Sequence, residues 1–306
     1  PMIIYSDERQ WSWMDEGLNT FLETITSMKW YPEMPIRSGT PSTIKQYMGG
    51  EKDFIRPIMT NSENILYFGH NAYSKPSAAL FLLRETIMGK EIFDYSFKEY
   101  ARRWAFKHPK PADFFRTMED ASAIDLDWFW NGWFYTTDHV DINLEGVSWY
   151  VLSEPKTSAD RRFKSNYVEG RELVNFAGGP QPWFIIKDKK GIVDDYFDPV
   201  DQDELMLKFI GENAYELYFR NEGGLVSPII IKWIYEDGTS EIEYIPAEIW
   251  RINELNVSKI FFKEKVVSKI ILDPLDQTAD VNFQNNYFPK TEVPTKFDRF
   301  KMKVNN

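Results

Sequence analysis

The stretch Trp11-Ser-Trp-Met-Asp-Glu-Gly-Leu-Asn-Thr-Phe-Leu-Glu-Thr-Ile25 decides how the first half of the chain folds. Met14, Leu18, Phe21, Leu22 and Ile25 recur at three-to-four-residue spacing, the period of an amphipathic helix with one buried face. Glu16 falls roughly opposite the Leu18, Leu22, Ile25 stripe, where a carboxylate is ordinarily solvated. The helical texture continues outward to about Tyr135. Ala79, Leu80, Leu82, Leu83, Thr86 and Ile87 form a second stripe that Gly89 ends. Asp113 reads as an N-cap, and Asp125 and Asp127 put carboxylates into the first turn of a further helix, where its dipole favours them. Four to six packed helices are expected.

After about Val140 the texture changes to β-branched and aromatic residues in alternation. Ile229 to Tyr235 and Glu241 to Ile245 read as a hairpin, with Asp237-Gly238 supplying the positive φ angles of its turn. Val257 to Phe262 and Val266 to Leu272 read as strands, and Tyr215 to Phe219 as a partner for one of them. Together they predict a small antiparallel β-sandwich. Between them, 155–171 reads as charged loop, 178–180 as a turn and Trp183 to Lys187 as a short strand. From Phe288 onward the chain reads as a basic, fraying tail.

With 306 residues, 43% of them hydrophobic, the chain has material for more than one core. A net charge of -11 works against binding to phosphate backbones or anionic membranes. The absence of cysteine removes disulfides, thiolate metal sites and cysteine nucleophiles together. No apolar run reaches the length of a membrane span, and the N-terminal stretch lacks the features of a signal peptide. His70, His108 and His139 lie far apart with no partner of ligand type at helical spacing, and read as surface or capping residues. Asp273, Asp276 and Asp280 lack the dense oxygen loop of a calcium site and read as a turn. Trp128, Trp130 and Trp133 hint at a sugar platform, but their helical spacing favours core packing.

Two segments carry a resemblance. Trp11 to Glu23 resembles the W-x-x-E-G helix of aminopeptidase-N-like zinc metallopeptidases of the gluzincin group, and Asn71-Ala-Tyr-Ser-Lys-Pro resembles their Y-x-K-[GP] segment. Phe93 to Tyr135 looks like the closing aromatic helices of that family, and 221–228 and 273–274 look like its small β-domain. The likeness is strong over about 1–140, moderate over 213–290 and nearly absent between.

The resemblance implies a multi-domain α + β protein. Residues 1–144 would be the helical second half of a thermolysin-like catalytic domain, 145–212 a mixed connecting region, 213–290 an antiparallel β-sandwich module and 291–306 a tail. It implies that Glu16 is the third zinc ligand and that Tyr73 helps bind the tetrahedral intermediate of peptide hydrolysis. By the family's spacing, both histidines of the HExxH motif, and its general-base Glu, fall upstream of Pro1. Zinc is therefore expected in the parent protein and none on this chain alone, which should be inactive on peptides. The HExxH helix normally packs against the Glu16 helix, so an exposed apolar patch is expected near Trp11, Met14 and Tyr73, with a homodimer as one way to cover it. The rival reading is a non-catalytic protein that binds a partner or a glycan on an inherited scaffold. Lack of cysteine suits a periplasmic or exported bacterial protein without requiring one.

Overall fold

The computed structural model describes residues 3–152, 168–170 and 213–290. Helix α1 (Glu16–Trp30) follows a single 3-10 turn, and α2 (Pro41–Met48) starts at Pro41 after Thr40, whose backbone N–H donates to the Thr43 hydroxyl. A continuous helical run over 69–87 comes next. It is π-helical at Gly69–Ser74, α-helical as α3 (Lys75–Leu82) and π-helical again at Leu83–Ile87. Gly89, at a φ of 80°, then turns the chain into α4 (Lys90–Trp104), a conformation that glycine adopts without steric cost. Helices α5 (Pro111–Ser122) and α6 (Asp127–Trp130) close this part, the last running on as a π segment, Asn131–Tyr135.

The inward faces are aromatic. Trp13 stacks on Phe115 and meets Phe114 and Phe134 edge-on, while Tyr100 of α4 meets Phe114 of α5 at 4.8 Å and 90°. Edge-to-face pairs of this kind add to the area they bury. Trp130 and Trp133 are buried as core residues; Trp128 is half-buried.

Two details of the helical reading change. In α1 the buried face is Gly17, Leu18, Phe21 and Thr24, whereas Leu22 is 40% exposed. The absence of a side chain at Gly17 lets α1 lie directly on Pro76, which turns the helix away from the Leu22 side. Asp113 is the third residue of α5 rather than its cap; its carboxylate accepts from the backbone N–H of Lys110. Proline at the first position leaves that role open to a side chain one turn on.

The second part contains two four-stranded antiparallel sheets. Strands β1 (Ile142–Leu152), β2 (Val168–Gly170), β3 (Asn213–Asn221) and β6 (Asn256–Lys263) form one in the order β2-β1-β3-β6. Strands β4 (Ile229–Tyr235), β5 (Ser240–Ile245), β7 (Val267–Leu272) and β8 (Tyr287–Phe288) form the other in the order β5-β4-β7-β8. Between them, Trp233 meets Phe261 at 5.1 Å and Tyr215 at 6.0 Å, and the Tyr215 hydroxyl accepts from the backbone N–H of Val267. The β4–β5 hairpin forms as read, but only Gly238 of its turn has positive φ. Asp237 contributes instead through its carboxylate, which accepts from Thr239. Val168–Gly170, read as loop, forms an edge strand, and Phe288, read as tail, pairs with Ile270. The turn at 178–180 and the strand at 183–187 lie outside the described residues.

The Asp273 to Asp280 segment is a turn built by its own carboxylates. Asp273 accepts from the backbone of Gln277 and Thr278, and Asp280 accepts from the backbone N–H of Ile142 and Asn282. Asp280 thereby ties the start of β1 to the segment after β7. Lys45 of α2 reaches Asp276 at 2.7 Å, a further tie between the helices and the sheets. Among the described residues no helix is long and apolar enough to cross a membrane.

Candidate active site

Glu16 is the first residue of α1, where the unpaired N–H groups of the helix face a carboxylate favourably. The next residue decides where it points. A β-carbon on Gly17 would lie 2.6 Å from Cγ of Pro76 and 3.1 Å from the carbonyl oxygen of Ala72. Only glycine permits this approach, which lays the start of α1 against the π-helical turn that carries Tyr73. Such single π turns occur often where a helix must aim a particular side chain.

The two candidate residues meet. The Tyr73 phenol stands near enough to Glu16 for that side chain to be the first cause of its raised pKa, followed by burial and by the charges of Glu16, Asp15 and Glu8. The Tyr73 ring also meets the Phe68 ring edge-on at 6.1 Å. Glu16 and Phe68 line an open cleft of about 320 Å³ together with Glu8, Ser12, Ser62 and Glu63. Ser12 and Ser62 both donate to the carbonyl oxygen of Glu8, fixing the cleft wall. The Glu8 carboxyl is raised chiefly by a hydrogen bond to Asp15, then by the charge of Asp15. Asp15 also accepts from Asn19 at 2.7 Å.

Two further residues of the same motifs are structural partners of the pair. Gly17 is one. The other is Lys75, 1% exposed, whose ammonium donates to the carbonyl oxygen of Thr136 at 3.4 Å and senses the charge of Asp138. Burial pulls its pKa down to about 8. It pins the Tyr73 helix to the exit of the last helical segment. Both residues stand inside the quoted W-x-x-E-G and Y-x-K-[GP] segments, and that was the available signal; nothing local in the sequence says that this lysine is buried.

Trp11 is half-buried and Met14 is 3% exposed, packed in the aromatic core, so neither supplies the apolar patch expected there, and the exposed apolar ring beside Tyr73 is that of Phe68. The large apolar residues exposed in this region are Leu66, Tyr67 and Phe68. The histidines stand apart from Glu16. His70 stacks on Tyr47, the ring of His108 contacts the carbonyl oxygen of Tyr5, and His139 is half-buried beside Gly223, its pKa lowered by burial and then by Lys52.

Residues 7–133, which hold Glu16, Tyr73 and Lys75, match the peptidase family M1 domain. This part of the chain is thus similar to the M1 peptidases, a group that includes aminopeptidases. Human glutamyl aminopeptidase is 24% identical over 141 residues, which cover 44% of this chain and 15% of that protein. Aminopeptidase A of Legionella pneumophila, solved in complex with aspartic acid, aligns over 86% of this chain and 23% of its own, at 13% identity and a TM-score of 0.43. The chain therefore spans less than a quarter of the length of either protein.

The M1 family is zinc-dependent in general, and a catalytic zinc needs three protein donors. Around Glu16 the charged side chains lining the cleft are Glu8, Glu63 and Arg9, with no imidazole among them. Among the described residues no group of three or more His, Cys, Asp or Glu side chains is placed to hold a metal ion. The surroundings of Glu16 do not by themselves make a zinc site.

Proposed function

We propose that this chain is part of a zinc-dependent, aminopeptidase-like M1 peptidase, in which Glu16 is a metal ligand and Tyr73 a hydrogen-bond donor to the substrate carbonyl. The observation that carries the reading is the nearness of the Tyr73 phenol to Glu16, which lines an open cleft beside Phe68. A carboxylate that ligates a metal and a phenol that stabilises the adjacent oxyanion must stand side by side, and these two do. A tyrosine phenol is protonated at neutral pH, the state in which it can donate to a carbonyl oxygen gaining negative charge.

The remaining donors, two histidines and a general-base glutamate, are assigned to sequence upstream of Pro1. On that assignment the helical part is the second half of the catalytic domain, the two sheets are a β-sandwich module, and peptides are the substrates. Alone, the chain neither holds zinc tightly nor cleaves peptide bonds, because one carboxylate cannot supply the coordination that this metal requires. The test compares bound zinc and aminoacyl-amide hydrolysis for this chain and for the same chain joined to its upstream sequence. Stoichiometric zinc and turnover only in the longer protein are expected. Loss of neither activity on Glu16→Gln in the longer protein would overturn the assignment.

A further inference from the structure

A second hollow, of about 450 Å³, opens beside α2 and shares no lining residue with the Glu16 cleft. Its walls include Tyr47, Phe54, Tyr67 and His70, with Glu51 at the same hollow. The rings form one connected set. Tyr47 and Tyr67 stand at 88° with centroids 6.2 Å apart, Phe54 meets Tyr67 at 6.0 Å, and His70 stacks on Tyr47 at 5.0 Å. Tyr47 is buried, while Phe54 and Tyr67 keep 44% and 50% of their surface open.

The charges around these rings are one-sided. No lysine or arginine lines the hollow, and Glu51 is its carboxylate. Of the nearby cations, Lys45 is held by Asp276, while Arg56 keeps its charge within reach of the Tyr47 phenol but turns its guanidinium to the carbonyl oxygens of Asp53 and Ile55. Aromatic faces carry negative potential, so a hollow walled by several rings with a carboxylate in the same lining favours a cation. A primary ammonium would give up strong hydration for a single anionic partner. A methylated ammonium is weakly hydrated and offers its methyl groups to ring faces, so it loses less and contacts more.

We propose that the Tyr47, Phe54, Tyr67 and His70 hollow binds a methylated organic ammonium ion, with Glu51 as counter-charge. The inference does not depend on the proposed peptidase role, since the hollow shares no lining residue with the Glu16 cleft. The test is a titration of the full chain, followed by NMR and calorimetry, with choline, with its uncharged carbon isostere 3,3-dimethylbutan-1-ol, and with ethanolamine. Choline is expected to bind saturably and about tenfold more tightly than either competitor. Glu51→Gln, at an exposed and isosteric position, should weaken choline about three- to tenfold and leave the melting temperature unchanged, whereas Tyr67→Ala should weaken choline to a similar degree and also lower the melting temperature through its lost ring contacts. Absence of saturable choline binding, equal binding of the uncharged isostere, tighter binding of ethanolamine, or indifference of choline to both substitutions would each overturn it.

Discussion

Gly17 lies so close to Pro76 that a β-carbon on it would stand 2.6 Å from the proline Cγ. The contact sets the distance between α1 and the helical run that carries Tyr73, and so sets the geometry of the candidate site. Alanine at this position would gain up to about 1 kcal/mol of helix propensity. It would lose more, about 1 to 3 kcal/mol, to overpacking against a rigid ring and a backbone carbonyl. Gly17→Ala is therefore expected to lower the melting temperature and, by moving α1, to return the Tyr73 phenol toward its ordinary pKa. Thermal unfolding and ultraviolet titration of the tyrosines check both effects.

Glu16→Gln isolates the electrostatic part of the same relationship. The phenol of Tyr73 is raised first by the nearby Glu16 side chain and also by the charge of that carboxylate. A neutral amide removes the charge, so the phenol should ionise at lower pH than in the parent. Comparing the alkaline difference spectra of Glu16→Gln and Tyr73→Phe assigns the transition. A Glu16→Gln spectrum identical to the parent's would show that the two side chains do not interact in solution.

Lys75 predicts a pH dependence on the alkaline side. Its folded pKa is lowered to about 8 from an ordinary 10.5, so the unfolded chain binds more protons between these values. Stability contributed by this group therefore rises with pH across that window and is lost as pH falls through about 8. Lys290, also lowered to about 8 by burial, acts in the same direction. Lys75→Met should flatten part of the slope between pH 8 and 9.5, read as the difference in denaturation midpoints between variant and parent. An unchanged slope would place the ammonium in water.

Asp280 acts on the acid side with the opposite sign. Burial, the largest cause, raises its carboxyl to about 6 from an ordinary 3.8. The folded state therefore binds the proton more tightly, and stability from this group is full below about pH 4 and declines as pH rises through 6. Asp94 and Glu241, lowered by ion pairs with Arg84 and Lys263, change stability the other way. The quantity to measure is thus the difference between Asp280→Asn and the parent across pH 4 to 7. The variant should gain relative to the parent as pH rises, although the amide can replace only one of the two backbone hydrogen bonds that the carboxylate accepts.

Much of the secondary structure could be read from local chemistry. The helical stripe before Gly89, the β4–β5 hairpin and strands β6 and β7 stand close to where periodicity and turn residues put them, because burial of one face imposes a period that shows in the chain itself. Errors arose where a distant residue decided the outcome. Leu22 is exposed because Gly17 docks on Pro76, and Phe288 joins a sheet because Ile270 offers it an edge.

For the candidate site, the sequence by itself determined the residue types: a carboxylate followed by glycine at a helix start, and a tyrosine two positions before a lysine. It could not say that the carboxylate and the phenol stand close together, that Met14 is buried where an apolar patch was expected, or that the lysine is sealed from water. Those facts belong to the tertiary structure alone. Each depends on surfaces brought together from positions remote along the chain, and the free energy of such contacts leaves no periodic trace in either segment.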